Sequence, residues 1–479
     1  MAKKSILFTA FEATPFIKTG GLGDVAGSLP ASIKSKDIDI RVILPKLGQI
    51  PEKYVKEMKY VKNYGVPLGW RMEYCGLFEM EYNGVTIYFL DNERYFMRDQ
   101  VYGEGDDAER VAFFSKAILE TIGQIKFKPD IIHCNDWHTA LVPVFLHEHY
   151  NGVFGYDNIK TVFTIHNLKF QGAYDPFIIG DILGLNGTPA EPQLMHNGAV
   201  NFLKGGVIYS DMVTTVSPTY AENICTPEYG EGLEDLFNSI RYKLRGIING
   251  IDYDDLNPAT DPNIAAHYDV KNLSNKELCK LELQKELGLD VNLDVPIFAI
   301  VSRLTDQKGM DMVAQLLPEF ADMDMQVAIL GTGDKHYEGY FQYIGSLCPS
   351  KIAVRIAFSE SLSRKFYSGA DVFMMPSVFE PCGLAQMMSM RYGTLPLVRE
   401  TGGLKDTVDG YWGYGDQATG FDFLYANAYE MKNAVYQALD IWYNDKGLWN
   451  QLQINGMTRD FSWPKSANEY IAMYDELIG

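Results

Sequence analysis

Several signals that would assign a function at once are missing from this sequence. The six cysteines (Cys75, Cys134, Cys225, Cys279, Cys348 and Cys382) are scattered with no Cys-x-x-Cys pair, which argues against a disulfide framework or a structural zinc. The eight histidines lack zinc-ligand spacing, and Asp106-Asp107 reads as a helix start rather than a metal site. No stretch approaches the roughly 18 consecutive apolar residues that cross a bilayer. The apolar run after Lys3 and Lys4 is cut short by Glu12, Pro15 and Lys18, so it reads as a buried strand rather than a signal peptide, and a cytoplasmic protein is expected. Positive charge is scarce: 42 Lys and Arg stand against 62 Asp and Glu, a net charge of −20. Such a surface repels nucleic acid and anionic membranes, and neither is an expected partner. An anionic substrate would need a locally basic pocket on this acidic body, so cations in glycine-rich loops carry unusual weight.

What is present is globular. The 479 residues are 47% hydrophobic and 22% charged, too long for one ordinary core, so at least two domains are expected. The first half alternates strand candidates at 5–9, 41–44, 85–90, 130–133, 160–165 and 211–216 with helical stretches at 23–33, 108–123 and 137–149. That alternation predicts a parallel sheet covered on both faces. Residues 226–245 read as polar and irregular, and turn dipeptides such as Asn257-Pro258 and Asp261-Pro262 mark a connector. A second series has strands at 296–304, 326–330, 352–358, 371–375 and 394–398, with helices at 309–320, 361–368 and 384–392, and ends in helices at 426–443 and 464–478. The fold class is therefore α/β, two Rossmann-like doubly wound domains with ligand expected in a cleft at the carboxyl ends of their strands.

Four loops carry candidate chemistry. Lys18-Thr19-Gly20-Gly21-Leu22-Gly23 follows the first strand, and its glycines allow close backbone approach to a ligand at a helix start. It matches neither a dinucleotide fingerprint nor a P-loop. A tight turn with a solvated lysine explains the glycine pair equally well. Ser302-Arg303-Leu304-Thr305-Asp306-Gln307-Lys308-Gly309 places two cations at a strand's carboxyl end, a sensible arrangement for a diphosphate, with plain surface cations as the alternative. Phe379-Glu380-Pro381-Cys382-Gly383-Leu384 offers the Gly383 and Leu384 amides to a phosphate and stands Glu380 beside them. Taken alone, Glu380 could simply complement the helix dipole. Glu400-Thr401-Gly402-Gly403-Leu404 repeats the strand, Gly-Gly, helix design and is expected to add backbone donors.

Together with Asn135-Asp136-Trp137-His138 and Thr164-Ile165-His166-Asn167-Leu168, these motifs resemble, in order and over nearly the whole chain, those of bacterial glycogen synthases and plant starch synthases. The resemblance implies a GT-B fold: an N-terminal domain at 1–245 on the acceptor side, a nucleotide-sugar domain at 246–460, and a C-terminal helix at 461–479 crossing back onto the first domain. It implies a retaining transfer of glucose from ADP-glucose to the non-reducing end of an α-1,4-glucan (glycogen or a maltooligosaccharide), without cofactor or metal. By motif, Lys18, Gly20, Gly21, Asn249, Arg303, Lys308, Phe358, Gly383, Leu384, Thr401, Gly402 and Gly403 would hold the donor, Phe358 by stacking on adenine. Glu380, His166 and Asp136 would be catalytic. Ala385, Phe170 and Gly23 depart from the commoner family residues without removing a charge. Met388 stands where sucrose synthases and many other retaining enzymes of this fold have a second glutamate. The rival readings are a donor such as UDP-glucose or another acceptor, a glucan-binding protein without catalysis, and a glucan phosphorylase. The retained cations argue against the second of these. The lack of a segment resembling a pyridoxal phosphate site argues against the third.

Overall fold

In the computed structural model, which describes residues 3–479, the alternating strands and helices resolve into two units. One comprises the chain up to Gly250 together with Trp463–Gly479, the other Ile251–Ser462.

The first unit is built on strands β1 (Lys4–Thr9), β2 (Ile38–Pro45), β3 (Lys59–Leu68), β4 (Arg71–Tyr82), β5 (Val85–Asp91), β6 (Ile131–Asn135), β7 (Lys160–Ile165), β11 (Met212–Thr215) and β12 (Leu244–Gly246). Their order across the sheet is β12-β11-β7-β6-β1-β2-β5-β4-β3. The apolar run of β1 lies at the centre, with Ile6, Leu7 and Phe8 sealed from solvent, as a strand covered on both faces requires. The sheet is not wholly parallel, contrary to expectation: β4 runs antiparallel to both β3 and β5. β3 escaped the sequence reading because it is an edge strand of polar and exposed residues, burying only Val66 and Leu68 and tolerating Pro67 where no inner ladder needs its amide. Short strands β8 (Ala173–Tyr174), β9 (Met195–His196) and β10 (Ala199–Asn201) form a separate antiparallel sheet.

Residues 226–245, expected to be irregular, also prove structured. They form the helix Glu234–Ser239 and strand β12, paired parallel with β11. Leu233, Phe237 and Ile240 bury one face at helical spacing, and Glu234 and Asp235 complement the positive helix start, so the polarity that suggested a loop is that of a helix's wet side.

The last helix, Trp463–Ile478, packs within this first unit, burying Trp463, Ala467, Tyr470, Met473 and Tyr474. Its anchor is polar. The Tyr474 hydroxyl lies 2.6 Å from His133 Nδ1, while His133 Nε2 meets Thr164 Oγ at 2.6 Å. Burial drives His133 down to about 3, so the ring is neutral and both nitrogens must find partners in the core.

The second unit carries β13 (Ile297–Val301), β14 (Gln326–Gly331), β15 (Ile352–Ile356), β16 (Val372–Met375), β17 (Leu395–Arg399) and β18 (Phe421–Phe423), all parallel, in the order β15-β14-β13-β16-β17-β18. This is the doubly wound order of a Rossmann sheet, which reverses direction between β13 and β16. Two of its helices, Lys276–Leu287 and Lys335–Leu347, were not expected from sequence. The first is half charged and buries a narrow apolar stripe of Cys279, Leu283 and Leu287, too few positions to stand out.

Replacing Tyr474 with Phe removes one partner of the buried His133 ring. We expect a loss of about 1–3 kcal/mol in urea unfolding, the cost of a stranded buried polar group. An unchanged midpoint would show that the tyrosine does not anchor the helix.

Candidate active site

Where a doubly wound sheet reverses its order, the loops leaving neighbouring strands part and open a crevice at the carboxyl ends. In the second unit those loops are 302–309 after β13 and 376–384 after β16. They are knitted together by Val378 N donating to Gln307 O at 2.9 Å. Gly309 has φ +71°, and a Cβ there would stand 2.0 Å from Pro376 O, so only glycine permits this approach.

The knit brings Lys308 into an ion pair with Glu380, whose Oε2 also accepts from Ser377 Oγ at 3.1 Å. Glu380 is largely buried, at 7% exposure. Behind it, the buried Arg399 at the end of β17 donates from Nε to Ser377 O at 2.9 Å and from Nη2 to Val378 O. The loop after β17 closes the other side. Gly402 has φ +45°, and a Cβ there would meet Glu380 O at 2.0 Å. The amide of Gly403 donates to Glu380 O and Pro381 O, each at 3.1 Å. The glycine pair therefore clamps the backbone of Glu380, and the Gly403 amide, expected to face a ligand, is engaged inside the protein.

Gly383 (φ +71°) and Leu384 precede the helix Ala385–Arg391, whose first-turn amides have no partner within the helix. Arg303 is exposed, and among the described residues its guanidinium forms no ion pair. Phe358, just beyond β15, presents its ring to solvent at 88% exposure, a flat apolar face with nothing stacked on it among the described residues.

The first unit has its own reversal between β1 and β6. After β1, the Thr19 amide and hydroxyl donate to Glu12 Oε2 at 2.6 and 2.7 Å. Gly20 caps the helix Gly21–Ile33, and Lys18 pairs with Asp24 at 2.7 Å. After β6, Asp136 holds φ +55°, strained for a residue with a side chain and a frequent mark of functional positions. Its Oδ1 accepts the amides of His166 and Asn167 at 2.7 and 3.4 Å, joining the ends of β6 and β7. His166 Nε2 lies 2.9 Å from Asn135 Oδ1, so it carries the proton and leaves Nδ1 as an acceptor. Burial lowers His166 to about 3 and raises Asp136 to about 7. Asn249 is buried, and its side-chain oxygen has no hydrogen-bond partner among the described residues.

Comparisons with known proteins give the family. A family model described as the starch synthase catalytic domain matches residues 5–239, and one described as glycosyl transferases group 1 matches residues 295–440. The glycogen synthase of Clostridium botulinum is 48% identical over 475 residues, covering 98% of this chain and 99% of its own. The chain belongs to the glycogen and starch synthase family. The glycogen synthase of Clostridium perfringens is similar at 47% identity over 474 residues, covering 99% of this chain and 98% of its own. The catalytic domain of Starch Synthase IV from Arabidopsis thaliana, a structure with ADP and acarbose bound, superimposes with a TM-score of 0.91 at 32% identity, each chain covered completely. Sucrose-phosphate synthase from Thermosynechococcus elongatus shares the two-domain GT-B fold, with a TM-score of 0.63 at 16% identity over 99% of each chain. This member of the family is a glucosyltransferase that extends a glucan.

Two side chains that hold the candidate loops were overlooked in the sequence. Glu12 is 2% exposed and sits in an otherwise buried run after β1, where a charge amid apolar residues was signal enough. Burial raises its pKa, partly offset by Thr19. Arg399 gave no such signal, because its role as a brace for the Glu380 loop depends on β17 lying beside β16.

Asp136 yields a pH prediction. Its folded carboxyl titrates at about 7 rather than 3.8, so the stability it contributes is present below pH 3.8 and lost as pH rises through 7. Asp136→Asn removes that loss, and its thermal stability relative to wild type should improve between about pH 5 and pH 8, by roughly 3 kcal/mol, while transfer activity falls. A stability difference that does not change with pH would show that Asp136 is not held protonated.

Proposed function

We propose that this synthase acts in the cytoplasm on ADP-glucose, transferring its glucose with retention of configuration to the non-reducing end of an α-1,4-glucan. The observation that carries this reading is that the two loops at the β13–β16 reversal, one with Arg303 and Lys308 and the other with Glu380, Gly383 and Leu384, are joined by the Lys308–Glu380 ion pair, while the exposed ring of Phe358 follows β15. In this proposal Arg303, Lys308 and the two amides hold the diphosphate, and Phe358 stacks on the adenine. The loop of Thr401, Gly402 and Gly403 sets the position of Glu380, which with His166 contacts the transferred glucose. Asp136 fixes the His166 backbone through the amide bond described above. Lys18, Gly20, Gly21 and Asn249 add polar contacts to the donor from the first unit.

As the glucose–phosphate bond breaks, positive charge develops on the sugar and negative charge on the departing ADP. Fixed cations and amides aimed at that negative charge stabilise the transition state without reorganising. The leaving phosphate oxygen takes the proton of the attacking glucan hydroxyl on the same face, which gives retention without a protein nucleophile. Arg303 and Lys308 take the part a divalent ion plays in other transferases.

Two measurements test this. With glycogen as acceptor, kcat/KM for ADP-glucose should exceed that for UDP-glucose by at least about tenfold, or about 1.4 kcal/mol. Equal efficiency would favour the broader-donor reading, and failure to turn over either donor would favour a binding protein. Activity should also survive EDTA. Arg303→Ala, at an exposed position, should keep its Tm yet lose about 2–4 kcal/mol of transition-state stabilisation. Activity abolished by chelator and restored by magnesium would refute the cation role.

A further inference from the structure

Within the first unit, away from the strand ends that carry its motifs, lies a cavity of about 190 Å³. It is walled by the end of β3, the helix Asp107–Ile122, the helix Leu141–His149 and the single π-helical turn Ile179–Leu183. π-turns are uncommon and recur at functional positions. Pro67, Leu68, Phe145, Ile182 and Leu183 give the walls an apolar character. One cation faces this space. Lys116 is 7% exposed, and its ammonium touches His149 Nδ1 at 2.6 Å and lies over the rings of Phe145 and Tyr150 at 5.1 and 4.6 Å.

The polarity of that contact is fixed by its surroundings. His149 Nε2 lies 3.3 Å from Gly184 O, so it holds the ring proton and Nδ1 accepts from Lys116. The carboxylate nearest in effect, Glu120, is bonded by the Tyr150 hydroxyl at 2.6 Å, and among the described residues Lys116 forms no ion pair. Burial lowers the lysine to about 8, so at neutral pH it is still largely charged. A buried charge with no carboxylate in direct contact is costly, and the aromatic faces and the more distant Glu120 recover only part of that cost.

We propose that this cavity binds a short-chain monocarboxylate, its carboxylate on Lys116 and its alkyl chain against the apolar walls. A phosphate is the poorer fit, because the pocket offers one charged donor and its histidine N–H is turned to Gly184. The volume of about 190 Å³ exceeds the roughly 150 Å³ of a cavity that takes up benzene, which leaves room for a carboxylate with a few methylenes. A bound carboxylate would clamp the far end of the helix that follows Asp136-Trp137-His138.

Butyrate and hexanoate are the probes, with inorganic phosphate as the contrast. Affinity is read from thermal shifts of the full chain. Both carboxylates should raise the Tm of wild type and leave Lys116→Met, which keeps the side chain's bulk, unmoved. Wild-type protein supplies a second readout that needs no variant: acetylation of Lys116 by acetic anhydride, followed by peptide mass spectrometry. Carboxylate at ten times its Kd should slow that acetylation by about tenfold, while the exposed Lys126 is unaffected. No protection of Lys116, equal protection by phosphate, or an equal Tm rise in Lys116→Met would each overturn the proposal.

Discussion

The second unit turns on one contact, the ion pair between Lys308 and Glu380. A largely buried carboxylate is tolerable only beside a charge and hydrogen-bond donors, and here the donors come from the ends of different strands. Lys308 arrives from β13 and Ser377 from β16, while the Gly403 amide, after β17, holds the carbonyl of Glu380 itself. Each contact demands that two or three loops approach at backbone distance, which is why Gly309 and Gly402 stand where any Cβ would collide with a carbonyl. The parallel order β14-β13-β16-β17 is what sets those loops side by side.

The first unit handles buried charge in the opposite way. Asp136 has no cationic partner in an ion pair among the described residues, only the amides of His166 and Asn167, and burial pushes it up to about 7. Nearby Glu12 adds repulsion, its own pKa also raised by burial. His133, His138 and His166 are held neutral at about 3. This unit thus offers neutral donors and acceptors suited to sugar hydroxyls, whereas the second concentrates full charges suited to phosphate. That difference in electrostatics would suit the division of acceptor and donor duties proposed for the two units.

How much of this was legible in the sequence follows from where each signal is stored. Apolar central strands such as β1, β7 and β14 announce themselves, because burial on both faces leaves an unbroken run. The hairpin of β3 and β4 did not, since one strand is an exposed edge and its identity rests on pairing with β5 rather than on its own residues. Among the site loops, Lys308 and Glu380 could be picked out singly, while their contact could not, 72 residues apart in the chain. Thr401-Gly402-Gly403 looked like a set of ligand donors because a Gly-Gly pair permits close approach to anything. Only the neighbouring strand shows that what it approaches is Glu380 O.

The acidic body gives these pairs a further meaning. With a net charge of −20, the cations of the site loops are mostly occupied by the protein's own carboxylates: Lys18 by Asp24 and Lys308 by Glu380. Arg303, exposed at the end of β13, stands without an ion pair among the described residues. On the proposed reading, a diphosphate approaching this acidic surface would meet long-range repulsion and find Arg303 first, through bidentate contacts that need no exchange of partners. Lys308 can follow only by sharing or leaving Glu380. On that reading an arriving phosphate would free the carboxylate to accept hydrogen bonds from the sugar. On the proposed reading, the ion pair that holds this loop together would also be the means by which nucleotide binding prepares Glu380 for the glucose.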